Sequence, residues 1–325
     1  MTAVRTVLGD IAPDALGVCD AHDHLFLRIP ALPGQELADP AAAVAELTAF
    51  QALGGGALVQ WTPFGMGRAA ATLPAVSHAA GVHVVAATGL HQAAHYDPEL
   101  LDRLHGGALG AFFIAELTEG MREGDDPDGP RVAARAGMIK VAGDFHRLGD
   151  HTRRVMAAAA EAHHATGAPI GVHHELGTAA VDVLDLLHGE LGVPTGSLLL
   201  GHLNRFPDPG IHRELAASGA FLAFDGPSRA HHATDWRLLD SLADLAAAGH
   251  TGQILLGGDT TAAEGRASTG GGPGLPYQLR VLRPRITGAL GEPAAEAIFV
   301  HNPARALAVD WPRDHSGTSR PPGKV

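Results

Sequence analysis

One cysteine, Cys19, stands among 325 residues, so no internal disulfide can form. Cys19 lies in the short apolar run 16–19, which reads as a buried strand position rather than a nucleophile and fits a reduced, cytoplasmic setting. No run of eighteen apolar residues occurs, and residues 1–14 hold no secretory-type apolar segment, so neither membrane spanning nor secretion is indicated. Charged residues make up 18% of the chain and sum to −12, and the only basic stretch is a short mixed one over 313–324. That balance argues against nucleic acid as a partner. With 46% hydrophobic residues the chain can bury a large core, which excludes intrinsic disorder and a small disulfide-stapled fold.

What is present is an alternation. Apolar runs at 17–20, 57–62, 82–88, 137–142, 169–173, 197–202, 220–224 and 253–257 read as eight strands. Helical periodicity fills 40–52, 150–166, 178–191, 209–218 and 234–248, several opening on a capping residue or proline and closing near glycine. Strands alternating with helices imply parallel pairing through helical crossovers, and eight such units predict an α/β fold, a (β/α)8 TIM barrel. An open doubly wound sheet would want a glycine-rich phosphate loop after its first strand, where Asp20-Ala21-His22-Asp23-His24 stands instead. One barrel domain over 1–312 is expected, with a long loop at 265–274 and a flexible tail at 313–325.

In a barrel the chemistry collects at the C-terminal strand ends, so the residue types there are informative. The first strand delivers His22 and His24, which share a face at the i, i+2 spacing and can reach one metal ion together. The fourth carries Lys140 inside an apolar run, either a snorkelling side chain or an amine whose pKa burial lowers until it can take up carbon dioxide as a carbamate. The fifth ends in His173-His174, the sixth in His202 and the eighth in Asp259. Adjacent strand residues point to opposite faces, so only one of His173 and His174 can face the same centre.

This ordered set, His22-x-His24, Lys140, His173, His202 and Asp259, resembles the phosphotriesterase family of the amidohydrolase superfamily, including its lactonase-like members. The flanking text agrees: 137–142 is similar to that family's carbamylated-lysine strand, Gly201-His202 to its sixth-strand motif and 300–305 to its closing signature, and the resemblance spans 7–307. It implies a binuclear metal-dependent hydrolase. His22, His24 and Asp259 would hold the more buried ion, His173 and His202 the more exposed one, and carbamylated Lys140 would bridge both. Zinc is the default, with cobalt, manganese and iron suited to the same donors. A hydroxide bridging the ions would attack the substrate, and Asp259 would take the proton.

The segment 225–229 with 257–260 and 272–275 resembles the branch that includes sugar-phosphate esterases, but Thr261 to Arg266 departs from its phosphate-gripping pattern. Arg229 and Arg266 could together still form an anion site, or be loop arginines paired with nearby acids. Trp61, His146, Asn204 and Arg205, with Gln60, Arg147 and Glu175, are further substrate-contact candidates by their places at strand ends. A carboxylic ester or lactone of a small polar molecule is the leading substrate class. An amide or phosphoester is the alternative, and a non-catalytic binding protein the third. A homodimer is expected by analogy with related barrels.

Overall fold

The computed structural model describes residues 2–226 and 233–312. A short antiparallel hairpin, β1 (Val4–Thr6) with β2 (Gly9–Ile11), comes first. Eight parallel strands follow: β3 (Val18–Asp23), β4 (Gly55–Gln60), β5 (His83–Gly89), β6 (Met138–Ala142), β7 (Ile170–His173), β8 (Leu198–Leu200), β9 (Phe221–Asp225) and β10 (Ile254–Gly257). They pair strictly in chain order from β3 to β10, so each crossover returns to the next position, as the (β/α)8 barrel requires. All eight sequence-predicted strands are present with shifted ends, and the expected loop at 265–274 follows β10.

The outer layer is helical: α1 (Pro40–Gln51), α2 (Leu73–Ala80), α3 (Pro98–Gly106), α4 (Leu109–Thr118), α5 (Asp150–Thr166), α6 (Ala180–Leu184), α7 (Pro209–Ala217), α8 (Leu238–Ala247), α9 (Arg283–Leu290), α10 (Glu292–Glu296) and α11 (Asn302–Ala306). Three of these helices open on Asp-Pro. Asp39, Asp97 and Asp208 each accept a backbone N–H of the first turn, while the following proline sits where no N–H is needed. Two expected helices differ in detail. That at 178–191 starts at Ala180 and widens into i→i+5 turns over Asp185–Glu190, and that at 234–248 opens with a tight turn at Asp235–Arg237 before α8. No helix among the described residues is long and apolar enough to cross a membrane.

Side chains of alternate strand residues fill the barrel: Cys19 and Ala21, Ala57 and Val59, Val85 and Ala87, Met138, Leu199, Ala223 and Leu255. The other face of each strand packs under the helices in a second, larger cluster. The hairpin covers the N-terminal end, with Val4 joining the inner cluster and Val7 donating to Val84 O at 2.9 Å. At the opposite end β10 closes on β3 at very short range. Asp259 N–H donates to His22 O at 2.9 Å, and a Cβ at Gly257 would lie 2.3 Å from that same oxygen, so only glycine permits the approach.

A second glycine governs the lysine strand. Gly89 pairs with Lys140 across β5 and β6 at φ +105°, and a Cβ there would sit 2.0 Å from Lys140 O. Gly89→Ala is expected to destabilise the fold by about 1–3 kcal/mol or more, read as a lower midpoint in urea unfolding; an unchanged midpoint would show that the strands separate freely.

Candidate metal centre

Two adjacent strand ends, those of β3 and β10, bring His22, His24 and Asp259 together, with one ligand atom of each within 4.8 Å of the others. The hydrogen bonds decide which atoms these are. His22 Nδ1 donates to Asp225 Oδ1 at 2.7 Å, which leaves Nε2 unprotonated; it is buried with no hydrogen-bond partner, 3.6 Å from Asp259 Oδ1. The Thr62 hydroxyl spends its proton on Phe26 O, so it accepts from His24 Nδ1 at 2.7 Å, and His24 Nε2 faces Asp259 Oδ1 at 3.3 Å. Two lone pairs and a carboxylate oxygen therefore converge. That donor set suits a divalent cation.

His173 and His202 repeat the arrangement across the barrel. His173 Nε2 donates to Glu175 Oε2 at 3.0 Å and His202 Nδ1 to Asp225 Oδ2 at 2.5 Å. The remaining nitrogens, His173 Nδ1 and His202 Nε2, stand 2.8 Å apart, within hydrogen-bond distance of each other and close enough to serve one cation together. Burial pushes His24 and His173 down to about 4, and His202 also lies well below the ordinary histidine value, so all three are neutral near pH 7 as ligands must be. Burial alone would raise the Asp259 carboxyl, but the charges around it, with the Arg205 guanidinium against it, hold it well below the usual range. Lys140, 2% exposed, is pushed down to about 8, chiefly by burial and against the pull of Asp259 and Asp225. Two of these residues, His202 at φ +62° and Asp259 at φ +50°, hold left-handed backbone conformations that cost about 1–3 kcal/mol each and that cluster at functional sites.

Above these groups opens a cavity of about 240 Å³, lined by His24, Lys140, His173, His202 and Asp259. Its lining also holds the apolar Leu27, Ile29, Pro63, Met66 and Leu176 and the polar His91, His95, Glu175, Arg205 and Thr261. Arg205 reaches the cavity as expected and pairs with Asp259 Oδ2. His173 rather than His174 faces the centre. His174 is fully buried, outside the cavity lining, with neither ring nitrogen hydrogen-bonded among the described residues.

Four expected substrate contacts lie outside the lining of this cavity. Trp61 is wholly buried inside the barrel, stacked on His22 at 3.9 Å with Nε1 donating to Ala21 O, because the alternation along β4 turns 57, 59 and 61 inward. Asn204 clamps the Asp225 backbone, donating to its carbonyl at 2.8 Å and accepting its N–H at 3.1 Å. Arg266 is 3% exposed and committed to Leu25 O behind His24. His146, at φ +54°, borders a separate cavity with Thr178, Val181 and Phe206. Gln60 is equally structural, bonding the backbone of Leu25 and Phe26, and Arg147 closes a backbone turn with Asp144. Arg229 lies outside the described residues.

Asp225, Thr62, His91 and His95 escaped the sequence reading in these roles. Asp225 ends β9 and His91 lies two residues past β5, so their signal was position at a strand end, but nothing local marks a carboxylate as the partner of two distant imidazoles. Asp225→Asn is expected to weaken metal binding about 10- to 100-fold without unfolding the barrel, measured by zinc competition with a chromophoric chelator; full affinity would remove Asp225 from that support.

The family model of the phosphotriesterase family matches residues 2–307. A phospho-furanose lactonase of Mycoplasmopsis synoviae is 31% identical, covering 95% of this chain and 93% of its own, and an N-acetyltaurine hydrolase of Danio rerio is 25% identical over 94% and 97%. Among solved structures, a lactonase of Listeria monocytogenes superimposes with a TM-score of 0.85 at 27% identity, covering 94% of this chain and 98% of that one. Matched over nearly its whole length, with the barrel and the convergent histidines to go with it, the chain belongs to the phosphotriesterase family and is a metal-dependent hydrolase.

Proposed function

We propose that the protein hydrolyses a carboxylic ester or lactone of a small polar molecule. The observation that carries this reading is the convergence of His22 and His24 on Asp259, with the paired rings of His173 and His202 lining the cavity that Asp259 and Lys140 also line. His22, His24 and Asp259 would hold one divalent cation and His173 and His202 a second, with Lys140 as a carbamate joining both. Zinc is the default metal. When bound, such a pair supplies Lewis acidity toward a carbonyl oxygen and a water of lowered pKa.

The chain's own residues then have distinct tasks. Asp259, ionised and aimed at the cavity floor, accepts the proton released as water adds to the carbonyl carbon. Asp225 and Glu175 hold three imidazoles in the tautomers that leave their lone pairs toward the centre. Arg205, beside Asp259, keeps that carboxylate ionised and offers a cation to the departing oxygen. Lys140, with its pKa near 8, has a neutral fraction able to react with carbon dioxide at physiological pH.

A lactone or ester is favoured because relatives covering nearly the whole chain are named lactonases; of the anion site that Arg229 and Arg266 could have formed, Arg266 is turned away to Leu25 O. The name of the N-acetyltaurine hydrolases favours an amide as the second reading. The same proposal places the enzyme in the reducing cytoplasm, which its buried Cys19 suits.

A hydrolysis screen of metal-loaded protein against lactones, sugar esters, N-acyl compounds and phosphoesters tests the reading: turnover of lactones or esters is expected, and turnover of amides alone would replace it. Asp259→Asn should lower kcat by at least about 100-fold, the size typical of a proton-transfer group, with the fold retained; undiminished turnover would remove it from the mechanism. Lys140→Ala should lose bound metal and regain it with a short carboxylic acid. Full metal content without rescue would exclude the carbamate.

A further inference from the structure

The end of β5 brings a group to the cavity that the proposed hydrolysis leaves unused. His91 lines the cavity with Lys140 and His173 and is 7% exposed. Its backbone is fixed on both sides. The N–H donates to the Tyr96 hydroxyl at 2.7 Å, which in turn donates to Phe64 O, and the carbonyl accepts from His151 Nε2 at 2.8 Å. The ring is packed against His95 and His173, with centroids 4.4 and 4.5 Å away.

Hydrogen bonding also sets the tautomer. Nδ1 accepts the Gln92 backbone N–H at 2.8 Å, and a neutral ring that accepts at one nitrogen carries its proton on the other. Because Nδ1 is turned back to the chain's own backbone, Nε2–H is what the ring presents on its cavity side. None of the described residues accepts from it.

We propose that His91 is a specificity-determining residue whose Nε2–H donates to an uncharged acceptor oxygen, a hydroxyl or carbonyl, next to the substrate's scissile carbonyl; this rests on the ester or lactone reading above. Contact with His173 puts the donor within one side chain of the reacting bond. A neutral N–H suits an uncharged oxygen, whereas anions draw their strongest hydrogen bonds from cations. The apolar lining side chains Leu27, Ile29, Pro63 and Met66 suit hydrocarbon elsewhere on the substrate. The substrate class is thus a small lactone or ester oxygenated next to the carbonyl and otherwise largely apolar. A compound that covers this N–H without offering that oxygen leaves the donor unpaired, which discriminates more strongly than an added apolar contact.

The test compares kcat/KM for α-hydroxy-γ-butyrolactone and unsubstituted γ-butyrolactone in the metal-loaded enzyme, with metal content measured in each variant. Wild type is expected to prefer the hydroxylated lactone by about ten- to a hundredfold, and His91→Phe to reduce that ratio to within about threefold with its metals retained. His91→Gln, which keeps a distal N–H, should recover part of the ratio; His91→Asn, polar but too short to present a distal donor, should not. An unchanged ratio in His91→Phe, or an equal fall for both lactones with loss of metal, would overturn the proposal and make His91 a prop for His173. If wild type opens neither lactone, the ester reading fails separately. The Kd ratio of 2,4-dihydroxybutyrate and 4-hydroxybutyrate, measured by calorimetry, then decides for His91: its collapse in His91→Phe supports the proposal and its persistence overturns it.

Discussion

The carboxylate of Asp225 is the constraint on which the site depends. Its two oxygens take the Nδ1 protons of His22 and His202, at 2.7 and 2.5 Å, and so set the tautomers of imidazoles that reach the centre from β3 and from the turn after β8. Released from it, either ring could carry its proton on Nε2 and present a donor where a lone pair is needed. The clamp is itself clamped: Asn204 bonds both the N–H and the carbonyl of Asp225, so an amide two residues past His202 holds the end of β9 in place. Glu175 on His173 and Thr62 on His24 extend the same logic to the other two rings, one with a charged partner and one with a neutral hydroxyl.

Burial makes these hydrogen bonds matter. A low-dielectric interior disfavours the charged imidazolium and ammonium, which is why His24, His173 and Lys140 are all pushed down. Asp259 stays ionised among them because the charges around it, with the Arg205 guanidinium against it, offset its own desolvation. The indole of Trp61, wholly buried, stacks on His22 within the inner apolar cluster, while His24 and Asp259 line the cavity.

Most of the fold was legible in the chain because a parallel barrel buries both faces of its strands and writes them as apolar runs, such as 137–142 and 253–257, bounded by glycine and capping residues. The hairpin β1–β2 was not legible, since strands of three residues carry too little periodicity. The helices α2, α3 and α4 between β4 and β6 also escaped. They are short, and the mostly apolar α4 packs against α5 with little amphipathic contrast. Among site residues, those at the i, i+2 spacing or directly at a strand end were legible. Trp61, Asn204, Arg266 and His146 were misplaced because proximity to a strand end does not say which way a side chain turns or where a loop leads.

By itself the sequence determined the residue types and their order: eight strands, two imidazoles one residue apart, a lysine within an apolar run, and histidines and an aspartate at later strand ends. These follow from local chemistry, from periodicity and from what cannot be buried without a partner. Only the tertiary structure decided which atoms meet. Asp225 and His22 lie 203 positions apart, and the short closure of β10 on β3 at Gly257 brings His22 and Asp259 into one site. Which nitrogen of each ring is bare, and which side chains line the cavity rather than stand behind it, depends on contacts between strands that are distant in sequence, and these exist only once the barrel has closed.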